Sequence, residues 1–78
     1  MTRYFFHIED GGSTIADDDG VDLRDDDAAR EEAVLAVRDL VAEALRQGKI
    51  LNGRAMRVTD AEGRDVARVA FREVIRLE

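Results

Sequence analysis

His7 is the single histidine of the chain, there is no cysteine, and the hydroxyl side chains are Thr2, Tyr4, Ser13, Thr14 and Thr59. Nucleophilic catalysis needs a hydroxyl or thiol beside a base that a third group orients. Here His7 has no second fixed group to pair with, and no hydroxyl sits in a nucleophile elbow. Gly11-Gly12 leads into a strand and not into a helix, so it is not a phosphate-cradling loop. These residues predict a protein that is not an enzyme and carries no cofactor.

The carboxylates invite a cation reading. Asp17, Asp18, Asp19 and Asp22 surround Gly20, and hard cations take clustered oxygen ligands around a glycine turn. An EF-hand frame counted back from Gly20 puts Ile15 at the first ligand position and Asp26 at the twelfth, where a bidentate glutamate belongs. The frame fails. A solvated turn followed by a helix cap accounts for the same residues, and no metal ligand set is predicted.

The arginines and aromatics carry more. With the strand phases derived below, Arg3, Phe5, His7, Arg57 and Arg68 share the outer face of a sheet, with Ala55, Thr59, Val66 and Ala70 between them. An aromatic flanked by arginines on an open sheet is a way to hold single-stranded nucleic acid, through stacking and phosphate contacts. Glu9 and Asp65 fall on the same face. A large ring on a half-polar face is also how a protein contact is anchored, in a partner or in a second copy of the chain. In a third arrangement the C-terminal tail, with Ile75 and Leu77, folds over Phe5.

Positioning these residues requires strands and one helix. Thr2–Glu9 alternates Tyr4, Phe6 and Ile8 with Arg3, Phe5, His7 and Glu9, the period of a half-buried strand. Three of the four aromatics fall there, which predicts a central strand. Asp10-Gly11-Gly12 turns the chain into a short strand at Ser13–Ala16, and Asp17-Asp18-Asp19-Gly20 turns it again before Val21–Leu23. Asp25–Gly48 is the helical stretch: Ala33, Val34, Val37, Leu40, Val41, Ala44 and Leu45 recur at three- and four-residue steps. Asp25 is placed to cap its start, and Gly48 to close its end in the left-handed conformation. Ile50 and Leu51 are expected to pin the following connection. Arg54–Thr59 and Arg64–Phe71 are strands joined by Asp60-Ala61-Glu62-Gly63. In the last strand Ala67, Val69 and Phe71 are read as inward. Arg72–Glu78 either extends that strand or forms one helical turn.

The architecture is therefore α+β: an antiparallel sheet of about four strands with one amphipathic helix packed on one face, in the order β-β-(β)-α-β-β. At 78 residues the chain is a single domain, 1–78, near the lower limit for folding alone, which makes self-association an expectation. The net charge of −6 disfavours a broad phosphate-binding surface. The lack of cysteine, of a long apolar run and of a signal-peptide layout predicts a cytoplasmic protein with no membrane partner.

The pattern Arg3-Tyr4-Phe5-Phe6-His7, Asp10-Gly11-Gly12, Gly20, Leu23, Asp25, Ala28, Ala29, Glu32, Ala33, Val58, Asp60, Gly63, Val69 and Phe71 resembles a family of small bacterial proteins known only as a domain of unknown function. That resemblance implies no activity. The hairpin, acidic cap and single helix are also similar in layout to HicB-type antitoxins, which implies a nucleic-acid-associated or antitoxin-like regulator as the alternative. The function expected from the residues is a protein-interaction module, binding either a second copy of the chain or another protein, acting through Arg3, Phe5, His7, Arg57 and Arg68.

Overall fold

The computed structural model of the chain describes residues 1–49 and 53–75. In chain order the elements are β1 (Thr2–Asp10), β2 (Ser13–Ile15), β3 (Val21–Leu23), α1 (Asp26–Arg46), β4 (Arg54–Asp60) and β5 (Asp65–Ala70), then a 3-10 turn at Phe71–Val74. Every strand pairing is antiparallel, and α1 packs on one face of the five-stranded sheet, as an α+β fold. The expected roles of Ile50, Leu51 and Leu77 lie outside the described residues.

Both ends of α1 are set by local chemistry. Asp25 is extended at φ −162°, and its carboxylate accepts the Ala28 N–H at 2.8 Å, satisfying a first-turn donor. At the other end Gly48 has φ +69°, the Lys49 N–H reaches the Ala44 carbonyl at 2.9 Å, and the Gly48 N–H reaches Leu45 at 3.1 Å. That pair of bonds is a Schellman closure.

The buried stripe of α1 is Ala29, Ala33, Val37, Val41 and Ala44, narrower than the expected one. Val34 is only partly buried, while Leu40 and Leu45 are 38% and 68% exposed. Each residue turns the helix by about 100°, so Leu45 points a quarter-turn away from buried Ala44, out along the flank. Small residues on the sheet side let the helix lie close to the strands, and its two late leucines are left at the margins.

β1 is the central strand. It pairs with β4 from Tyr4↔Asp60 to Asp10↔Arg54. Its other edge is shared: β2 covers Ile8–Asp10, and β3 covers Thr2–Tyr4. The backbone of Phe5, Phe6 and His7 thus has no strand beside it on that edge. Tyr4, Met56, Val58, Val69 and Phe71 meet the helix stripe, with Phe6 and Ile8 packed at the rim of the core. The inward assignment of these residues holds.

Val66 does not sit on the outer face. Val58 pairs with Ala67 and Thr59 with Asp65, so Val66 is an extra residue, a β-bulge. The bulge swings Val66 into the core, where it is buried, while Arg68 and Ala70 keep their outward phase. After Ala70 the chain leaves the strand for its helical turn, and the Glu73 carboxylate accepts the Ala70 N–H at 3.1 Å.

Candidate functional site

The register places Phe5, His7, Arg57 and Arg68 together on the sheet face away from the helix, with Arg3 at the β3 end of the same row. None of the three arginines stands alone. Arg57 meets Glu9 at 3.4 Å and Asp65 at 3.1 Å, and Arg68 meets Glu9 at 2.9 Å. Arg3 holds both oxygens of Asp22, at 3.0 and 3.1 Å, and donates to the Asp19 carbonyl at 2.7 Å. Ala55, Thr59 and Ala70 between them are buried, small side chains sunk beneath long ones.

Phe5 and His7 stack, with ring centroids 6.4 Å apart and planes 11° from parallel. Both are half-buried. The Asp17 N–H points at His7 Nδ1 at 3.1 Å, and an amide can only donate, so Nδ1 is the accepting nitrogen. The ring proton is then on Nε2, which donates to Thr59 Oγ1 at 3.0 Å. A general base would have to take a proton from that hydroxyl. His7 gives one instead, and its role here is to tie β1 to β4 and to the loop before β3.

The turn in that loop was expected; its attachment to β1 through Asp17 is the part sequence reasoning missed. The Asp17 carboxylate accepts the Phe6 N–H at 3.0 Å on one oxygen and the Asp19 and Gly20 N–H groups at 3.2 Å on the other. It supplies the acceptor that no strand offers to the exposed stretch of β1. The Phe6 amide, with those of Gly20 and Asp19, holds its carboxyl below the usual range. Gly20 has φ +73°, and a Cβ there would stand 2.9 Å from Arg3 Cγ, 2.9 Å from the Tyr4 carbonyl and 3.0 Å from Phe5 Cε1. Only glycine fits. The aspartate-turn-glycine spacing was the available signal, because an aspartate bonding the amide two residues on is a common turn.

A second cluster joins the helix start to the far hairpin. Asp26 accepts the Tyr4 hydroxyl at 2.8 Å and the Arg64 guanidinium at 2.9 Å, while Arg64 also reaches Asp60 at 3.0 Å. Arg64 first, then Tyr4, holds Asp26 below the ordinary carboxylate range. Burial first, then Asp26, pushes the Tyr4 phenol up.

Among the described residues no group of three or more acidic or histidine side chains is arranged to hold a metal ion, and no helix is long and apolar enough to cross a membrane. No curated protein and no solved structure matches the chain. A family model described as "Domain of unknown function (DUF6894)" matches residues 3–72, nearly the whole length, and the chain belongs to that family.

Proposed function

We propose that the domain is a non-enzymatic module that binds another protein through the outer face of its sheet. Phe5 is the anchor, and Arg3, His7, Arg57 and Arg68 are its polar surround. The observation that carries this reading is the pairing of the arginines: Arg3 with Asp22, Arg57 with Glu9 and Asp65, and Arg68 with Glu9. A phosphate would have to pull a guanidinium from its carboxylate, on a molecule whose net charge is −6. A protein surface gains from the same arrangement, because a rigid ring pair framed by mutually satisfied charges has little ordering left to do on binding. The donor role of His7 supports the non-enzymatic part. The absence of cysteine agrees with work in the cytoplasm.

Two experiments test this. Labelled single-stranded RNA and DNA, titrated at low and high salt, should not bind. Affinity that falls steeply with salt and is lost in Arg57→Glu would replace the protein reading with the nucleic-acid-associated, antitoxin-like one. Native and Phe5→Ala chains immobilised side by side should then differ: a specific protein held by the native chain at high salt is released by the folded variant. Equal retention by both removes Phe5 as the anchor.

A further inference from the structure

The flank of α1 that overhangs β5 sets an exposed leucine, Leu35, between two charges of opposite sign, Glu31 and Arg38. Eight of the described arginines (Arg3, Arg24, Arg30, Arg46, Arg54, Arg57, Arg64 and Arg68) have a carboxylate partner. Arg38 makes no such pair among the described residues. Its helical neighbours three and four positions away are Leu35, Val34, Val41 and Ala42, all apolar. Glu31 is in the same state, with Asp27, Ala28, Val34 and Leu35 at those positions. Two other pairs of helix charges do meet at that spacing, Arg30 with Asp27 and Arg46 with Glu43.

Between Glu31 and Arg38 lies an apolar patch. Leu35 is 53% exposed, and Val34 and Leu35 form the floor of a shallow groove flanked by Arg30, Glu31 and Arg38. The same helix flank faces a cleft lined by Val69, Val74 and Glu73, whose carboxylate is taken up by the Ala70 N–H, beside the edge of β5, against which no described strand pairs. Glu31 stands one turn before the Val34–Leu35 pair and Arg38 one turn after it. A two-fold rotation about that midpoint lays the helix antiparallel to itself and exchanges the two charges.

We propose that a second copy of this chain docks antiparallel along this flank of α1, with Leu35 against the other copy's Val34 and with Arg38 of each copy meeting Glu31 of the other. The pattern is self-complementary, as a two-fold contact must be. It supplies each unpaired charge with the partner that its own helix withholds. The outer sheet face is left free on both copies, so the dimer is independent of the function proposed above.

The test is a charge exchange read by sedimentation velocity over a range of concentrations. The native chain should dimerise, and Glu31→Arg or Arg38→Glu alone should weaken the dimer by about tenfold or more, since like charges then face each other twice. An equimolar mixture of the two variants should form a heterodimer in which both contacts are again opposite in sign. Circular dichroism of each variant checks that the fold survives. A native chain that stays monomeric overturns the proposal. So does a native dimer that neither variant weakens, or variants that fail to recover on mixing.

Discussion

Two runs of three aspartates, Asp17-Asp18-Asp19 and Asp25-Asp26-Asp27, lie eight residues apart and have the same composition. In the second run each residue has a partner: Asp25 caps the helix, Asp26 joins Tyr4 to Arg64, and Asp27 pairs with Arg30. In the first run one residue carries the structural role. Asp17 takes three backbone amides while the side chains of Asp18 and Asp19 make no bond among the described residues. What lies opposite decides the difference. The later run meets a helix end and three side chains with protons to give, whereas the earlier one meets a gap in a sheet edge that fits a single carboxylate.

The comparison is broken most forcefully at the glycine that lets the first run reach the sheet. Gly20→Ala should lower stability by about 3 kcal/mol in urea denaturation, adding left-handed strain to a clash with β1. Gly48→Ala, equally left-handed but with nothing within 4 Å of its Cβ, should cost only about 1 kcal/mol. Equal losses would mean that the loop is not pressed against β1. Next, Asp17→Ala should cost about 2 kcal/mol, because it strands the Phe6 amide beside an unpaired edge. The measurement should also show faster hydrogen exchange at Phe6.

Acid titration sharpens the contrast further. Asp17, Asp25 and Asp26 are all held below their ordinary values in the fold. Their contribution is therefore present above the unfolded carboxylate range, near about pH 4, and is lost as pH falls through the folded values. The causes differ: backbone amides first for Asp17, the Arg64 guanidinium first for Asp26. At about 1 M salt, where charges are screened within ~3 Å, the acid-limb difference between native and Asp26→Asn should shrink. The difference between native and Asp17→Asn should persist. The smallest effects are expected at the remaining members of the first run. Asp18→Ala and Asp19→Ala should each shift stability by no more than about 0.5 kcal/mol by thermal denaturation. Neither should create or abolish a calcium response; loss of calcium stabilisation in Asp19→Ala would restore the cation reading.

These pairs also show what could be read from the residues. The Asp25 cap and the Gly48 closure were legible because cap and capped group are three to five residues apart, within one turn of helix. The alternation of β1 and β4 was legible because Tyr4, Phe6, Met56 and Val58 repeat at a fixed period. Asp17 was not, since its decisive partner is the amide of Phe6, across a hairpin, and nothing about Phe6 announces that its strand edge will be bare. The His7–Thr59 bond spans 52 positions and is equally silent in one dimension. Val66 was misplaced because a bulge adds a residue without disturbing the hydrophobic pattern enough to reveal it. At the proposed site the shared face of Phe5, His7, Arg57 and Arg68 followed from phase alone. That their charges are already answered could be seen only once Glu9 and Asp65 had been brought beside them.

The position of β1 in the sheet has a consequence for how the protein is made. Its longest pairing is with β4, which leaves the ribosome some fifty residues later. At ~5–20 residues per second the Tyr4-Phe5-Phe6 segment waits several seconds before the strand that covers it exists. β2 and β3 can form beside it in the meantime, but with three residues each they shield little of its length. Pairings so distant in sequence also close slowly. A strand this aromatic, made some fifty residues before the strand that covers it, is therefore open to chaperones and proteases for that interval.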